Sequence, residues 1–293
     1  TSNESKSTLA TLRQTPGGAF GSCRFKLQDP VTQKKEYERL FEVFSAHDIG
    51  YFFYNGGGDS QDTTFKVSEM AKRLKFPLQC IGIPKTVDND LPFTDCSPGF
   101  GSVAKYVATS TLEAGLDVKS MAETSTKVFI LEVMGRNAGW IAAASCLAGN
   151  EFEDPPHIIL LPEIPFEKAK FLKTVKEKTQ RFGYCVVVAS EGVKYKTGKF
   201  LADSGSVDAF GHKQLGGVAP VLASMVTKIG LKNHWAVADY LQRSARHIAS
   251  KTDLDQAYAV GKYAVQLALS GKTGVMPTIR RVSDQPYKWT VSE

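Results

Sequence analysis

The sequence predicts an α/β fold built on parallel strands. Short runs of β-branched, aromatic and aliphatic residues recur along the chain, and helical patterns separate them. Continuous apolar runs suit strands buried on both faces, the condition of a parallel sheet covered by helices. The turns after these runs are glycine-rich or charged. In open α/β sheets, ligands sit beyond the carboxyl ends of strands.

Taken in order, a polar segment (residues 1–7) leads into a first helix, and Lys34 to Ala46 reads as a second. Ile49 to Tyr54 is an apolar strand that runs into Asn55-Gly56-Gly57-Gly58-Asp59-Ser60, and a helix follows from Gln61 to Leu74. Leu78 to Ile83 is the next strand. Pro84 should end it, because proline has no N–H for the ladder and biases its predecessor to extended geometry. The helix from Ser102 to Ala122 carries Val103, Val107 and Leu112 near one face, which suits packing on a sheet. Val128 to Val133, His157 to Leu161 and Cys185 to Ala189 are three further strands. Helices are expected at Trp140–Ala148, Glu167–Gln180, Gly217–Ile229 and Leu254–Leu269, and a strand-like stretch lies near Glu293. A second unit begins near Met121 to Thr126, so the domains are set at 1–122 and 123–250. The helix and strand of 251–293 pass back between them, which makes the domains discontinuous in sequence.

Length and composition bound the function. The 293 residues suffice for one large or two ordinary domains. Hydrophobic content of 42% and charged content of 23% are ordinary for a globular protein. The longest apolar runs are too short to span a bilayer, so no membrane role is expected. Net charge is +6, with Lys and Arg scattered rather than blocked. That argues against nucleic acid and suits anionic small substrates. Cys23, Cys80, Cys96, Cys146 and Cys185 form no C-x-x-C pair and read as thiols of a reducing cytoplasm. His212, His234 and His247 have no metal-ligand spacing.

The densest chemistry lies in Pro84-Lys85-Thr86-Val87-Asp88-Asn89-Asp90. Charges crowded at the end of a buried strand are poorly explained by stability. A lysine there can hold a phosphate, and an aspartate can take a proton from an attacking hydroxyl; the alternative is a solvated polar turn. In the turn Gly56-Gly57-Gly58, backbone N–H groups can approach a phosphate, helped by the helix dipole beyond it. It fits neither the Walker nor the dinucleotide pattern, and a tight turn capped by Ser60 or Asp59 is the plainer reading. Asp59 would repel a phosphate unless a cation compensates. It either orients Mg²⁺ or blocks something, with Lys85 as the compensating charge. Arg24 follows a glycine-rich loop and could bridge two phosphates, or be a surface arginine. Arg136, between Gly135 and Gly139 after a strand, suits a phosphate or sugar hydroxyls. Glu191 suits sugar hydroxyls, or is a turn acid. Tyr240 and Arg243 share a face if helical.

In this order the motifs resemble the phosphofructokinase family. The resemblance is carried by Gly17 to Arg24 (one position shorter than in common bacterial ATP-dependent members), Gly56 to Ser60, Pro84 to Asp90, Glu132 to Arg136, Ser190 to Gly192 and Tyr240 to Arg243. It spans about residues 13 to 280 and implies two Rossmann-like three-layer domains with mostly parallel sheets. The first of these is a phosphoryl-donor domain and the second a fructose 6-phosphate domain. The family's opening strand and its G-G-x-x-P-G-x-N turn are not in the sequence, so an amino-terminally truncated chain is expected.

By this resemblance Asp88 is the general base, supported by Asp90, and Thr86 holds substrate or the transferred phosphate. Met134, Gly135, Arg136 and Glu191 bind the sugar, and Tyr240 and Arg243 its phosphate. Arg24 stabilises the transferring group. Lys127 reaches the sugar phosphate of a neighbouring subunit, which implies a homo-oligomer. ATP-dependent members typically carry glycine at the positions of Asp59 and Lys85, whereas pyrophosphate-dependent members carry this pair. The resemblance therefore implies pyrophosphate as donor with Mg²⁺. Gly58 stands where many members have a metal-associated aspartate, which leaves Asp59 or Asp88 for that role. The alternatives are an ATP-dependent enzyme and a non-catalytic paralogue that only binds sugar phosphate.

Overall fold

A computed structural model of the chain describes residues 3–15, 17–23, 25–203 and 217–293. In chain order its elements begin with α1 (Lys6–Thr11), α2 (Lys34–Ala46), β1 (Tyr51–Gly56), α3 (Gly58–Leu74) and β2 (Gln79–Pro84). Then come α4 (Phe100–Met121), β3 (Val128–Val133), α5 (Trp140–Ala144), β4 (Ile158–Leu160), α6 (Lys168–Phe182) and β5 (Cys185–Ser190). The last are α7 (Val218–Thr227), β6 (Asn233–Val237), α8 (Leu241–Ser244), α9 (Lys251–Leu269), β7 (Thr278–Asp284) and β8 (Tyr287–Ser292).

The chain divides into two compact units. One gathers described residues within 1–13, 20–99 and 251–293; the other gathers those within 14–19 and 100–250. The sequence boundary at residue 122 therefore moves to residues 99 and 100. The cause is α4, whose Val118 packs with Ala122, Tyr184 and Val186 of the second unit. The first unit is discontinuous, because α9, β7 and β8 return to it.

In the first unit β1 and β2 pair in parallel, with Gly56 opposite Pro84. One face of the pair meets α2 and α3 through Tyr37, Phe41, Phe44, Val67, Ala71 and Cys80. On the other face Ile81 packs with Ala264, Leu267 and Ala268 of α9. β2 is thus covered on both sides, as its apolar run demands. β1 is not: Phe52 joins the core, but Tyr51 and Phe53 stay exposed. Among the described residues β1 pairs only with β2. The carboxyl-terminal stretch, expected as one strand, is an antiparallel hairpin of β7 and β8.

The second unit holds a four-stranded sheet in the order β4-β5-β3-β6. Every pair in it is parallel. Val128, Ile130, Cys185 and Val187 face α6 and α7, while Val186 and Phe129 face α4. This alternation gives three layers, with β3 and β5 buried between the helices. The sequence did not reveal β6, whose residues are half-exposed or exposed and whose run is only five residues long.

Candidate active site

Apart from Lys127, and from Arg24, which lies outside the described residues, the predicted residues fall into two clusters, one in each unit and each at the carboxyl ends of its strands. In the first unit, the turn after β1 feeds the amino terminus of the 17-residue helix α3, with Asp59 in its first turn. Unpaired N–H groups there favour anions. Ser60 packs so tightly on Gly56 that a β-carbon at 56 would overlap it. A β-carbon at Gly57 would meet Thr86 at ordinary contact distance, and one at Gly58 would meet nothing within 4 Å. Glycine at 58 is therefore not imposed by space.

Lys85 follows β2, and its N–H donates to Gly56 O at 3.1 Å. This bond sets the lysine beside the glycine turn. Gln61 ties the same ends together: its Nε2 donates to Gly56 O at 2.9 Å and to Ile83 O at 3.1 Å. The Asp59 carboxylate lies 3.2 Å from Lys26 Nζ, an ion pair that the sequence did not suggest.

Thr86 to Asp90 form a braced turn. The Asp88 N–H donates to Thr86 Oγ1 at 3.2 Å. Asn89 adopts a left-handed backbone (φ 53°) and accepts the Ser97 N–H at 2.7 Å. Thr86 bridges Gly99, whose N–H donates to buried Asp253 at 2.8 Å. Asp88 is half-buried and Asp90 exposed. Arg24 lies outside the described residues, as does His212.

In the second unit, the ends of β3 and β5 are stitched together. The Glu191 N–H donates to Val133 O at 2.9 Å. Ser190 Oγ donates to Gly135 O at 2.6 Å and accepts the Gly192 N–H at 3.1 Å. Gly135 has φ 123°, which side-chain-bearing residues rarely adopt. A β-carbon at Gly192 would overlap the Arg136 carbonyl oxygen. The turn Met134-Gly135-Arg136 is thereby pressed against Glu191 and Gly192. Arg136 Nε is buried with no hydrogen-bond partner among the described residues.

Tyr240 caps the amino terminus of α8 and Arg243 lies within it, and the guanidinium lies 4.2 Å from the ring centroid. Both are exposed. Two buried residues that sequence reasoning missed hold this half. Glu132 accepts the N–H groups of Gly217 at 3.0 Å and Ala219 at 2.8 Å, at the start of α7. Burial raises its pKa, and those bonds oppose the rise. Gln242 reaches Met134. Lys127 stands apart, at the amino end of β3, where its Nζ donates to Ala122 O.

The sequence profile of the phosphofructokinase family matches residues 2–268. The chain belongs to the phosphofructokinase family. It is 65% identical over 291 residues to the pyrophosphate–fructose 6-phosphate 1-phosphotransferase of Halomonas elongata, covering 99% of this chain and 70% of that one. It is 60% identical to the enzyme of the same name from Methylococcus capsulatus, covering 100% of this chain and 70% of the relative. A crystal structure of pyrophosphate-dependent phosphofructokinase from Marinobacter aquaeolei matches with a TM-score of 0.88 at 62% identity, over 99% of this chain and 68% of that one.

Phosphofructokinase chemistry calls for a cation on the donor. Among the described residues no three His, Cys, Asp or Glu side chains cluster into a metal cage. Mg²⁺ does not need one, since it is usually held by one or two carboxylates, waters and substrate phosphates. Half-exposed Asp59 fits that arrangement, with Lys26 sharing its carboxylate. No described helix is long and apolar enough to cross a membrane.

Proposed function

We propose that this chain transfers a phosphoryl group reversibly from pyrophosphate to the 1-hydroxyl of fructose 6-phosphate, giving fructose 1,6-bisphosphate and phosphate. The observation that carries the reading is the pair Asp59 and Lys85 beside the glycine turn. It agrees with the names of relatives 60% and 65% identical. An acid at 59 crowds and repels the α-phosphate of a nucleotide, whereas an ammonium at 85 grips a short diphosphate.

Phosphoryl transfer needs positioning and charge neutralisation more than covalent help. Lys85 and the backbone of the turn Gly56 to Ser60 hold pyrophosphate, through N–H groups other than that of Ser60, which donates to Gly57 O. Asp88 accepts the proton of the 1-hydroxyl as its oxygen attacks phosphorus. The bridging P–O bond breaks and phosphate leaves with the electron pair. Thr86 holds the moving group, Asp90 supports the turn, and Arg24 neutralises the transferring phosphoryl. Met134, Gly135, Arg136 and Glu191 bind the sugar, with Arg136 Nε as a donor lacking an acceptor among the described residues. Tyr240 and Arg243 bind its phosphate. Mg²⁺, held by Asp59 and the donor's own oxygens, would supply charge neutralisation. Lys127, at the far end of β3, serves a neighbouring subunit of a homo-oligomer, and the enzyme works in the cytoplasm.

Initial rates with fructose 6-phosphate and either pyrophosphate or ATP test the donor; faster turnover with ATP overturns it. Asp88→Ala should lower kcat by roughly a hundredfold or more with both KM values largely kept, and near-normal turnover removes Asp88 as base.

A further inference from the structure

Gln242 is 2% exposed and sits between the two residues assigned to the sugar phosphate. Its carboxamide is spent in two directions. Oε1 accepts the Met134 N–H at 3.3 Å, and Nε2 donates to Asp239 O at 2.9 Å. The amide has one workable orientation, because a flip would set donor against donor and acceptor against acceptor. Asp239 carries a positive φ of 35°, a strained backbone for a residue with a side chain. The Nε2 bond to its carbonyl helps hold that strain, with the Ala238 N–H pinned to Glu132 O at 2.9 Å. One buried side chain thus joins the α8 turn, which presents Tyr240 and Arg243, to the end of β3, which presents Met134 to Arg136.

We propose that Gln242 is a positioning residue that fixes the spacing between the sugar-phosphate contacts and the sugar-ring contacts. This rests on the reading of these residues as the fructose 6-phosphate site. Gln242 touches no substrate; it sets the distance at which one end of the sugar is held relative to the other. Misplacement of a binding group by an ångström is costly because binding and orientation require both ends at once.

Two variants and one control test this. Gln242→Leu keeps the volume and removes both bonds. It should raise KM for fructose 6-phosphate roughly tenfold or more and leave KM for pyrophosphate within about twofold. Gln242→Glu keeps the acceptor for Met134 but turns a carboxylate toward the Asp239 carbonyl. Burial raises the pKa of such a glutamate, and its protonated form can donate to Asp239 again. Its KM for fructose 6-phosphate, divided by that of the unaltered protein at the same pH, should therefore fall as pH is lowered from about 8 to about 6. A merely structural role predicts no such rescue. Equal rises in both KM values, an unchanged fructose 6-phosphate KM in Gln242→Leu, or loss of folded protein in both variants overturns the proposal. Arg243→Ala is the control for the underlying reading. If it leaves the fructose 6-phosphate KM unchanged, the sugar-site assignment fails independently of Gln242.

Discussion

In the proposed mechanism Asp59 and Lys85 act on donor choice by opposite means, and each side chain can be removed by substitution with glycine. Asp59→Gly removes a negative charge and frees Lys26, which lies 3.2 Å from the carboxylate. Lys85→Gly removes a cation from a position set by the bond of its N–H to Gly56 O. The double variant should raise KM for pyrophosphate by roughly tenfold or more and show measurable turnover with ATP. Complete absence of ATP use would mean that other walls exclude the nucleotide. His157 behaves differently, because its chemistry is inward. Its Nδ1 accepts the Val186 N–H at 2.9 Å, so the neutral ring carries its proton on Nε2, which is buried without a partner among the described residues. A second proton would face the Val186 N–H. Burial, then the charge of Lys178, pushes the pKa down to about 4; Lys119 adds to this, while Glu153 and Asp154 oppose it. The unfolded chain therefore takes the proton first as pH falls. Stability from this site is intact above about pH 6.5 and declines until the folded group titrates near pH 4. The loss is on the order of 2 kcal/mol, discounted for its partial exposure. Urea midpoints of the unaltered protein should fall over that window, and those of His157→Gln should fall less. Equal slopes in both would remove His157 as the cause.

The strand-end turns are where local sequence and tertiary packing meet. Gly192 lies against the Arg136 carbonyl with no room for a β-carbon. Gly192→Ala must push the Met134–Arg136 turn away from β5, at a cost of about 1 to 3 kcal/mol. A thermal melt should show that loss, and KM for fructose 6-phosphate should rise with it; an unchanged melting temperature and KM would mean that the turn yields freely. The motifs that made these turns legible are local ones: glycines and charges directly after apolar runs. For the same reason β2, β3 and β5 were readable, since each is a short, nearly continuous apolar run. β6 is short and largely exposed. In the carboxyl-terminal hairpin only β8 alternates, with Tyr287, Trp289 and Val291 between polar residues, while β7 sets Arg280 and Arg281 between Ile279 and Val282 and so has no period of two. The bracing residues were invisible for another reason. Gln61, Glu132, Gln242 and Asp253 all act on backbone groups. A sequence shows that a side chain can donate or accept, but only the fold shows which carbonyl or N–H it meets. The position of the unit boundary was illegible likewise, because an amphipathic helix such as α4 does not declare which sheet its apolar face will choose.

At the scale of the whole molecule, the discontinuity of the first unit has an energetic consequence. Its strand-end turns lie between residues 51 and 99, yet part of their support comes from residues 251–293. Leu267, Ala264 and Ala268 bury the face of β2 that α2 and α3 do not reach. Asp253, in the first turn of the same helix, holds the Gly99 N–H at 2.8 Å, and Gly99 bridges Thr86. Contacts this distant in sequence form late, because a long loop must close first. The second unit has its own core between β3, β5, α6 and α7, which includes nothing from α9. A cavity in α9 should therefore be felt in one unit. Leu267→Ala should cost about 2 to 5 kcal/mol, expressed as faster amide hydrogen exchange in β1, β2 and α9. Protection in β3 and β5 should change little, since each unit opens with its own free energy. Turnover should fall through the pyrophosphate KM before the fructose 6-phosphate KM moves. Uniform loss of protection across both units would show instead that the two cores unfold as one cooperative body and that the discontinuity has no separate energetic meaning.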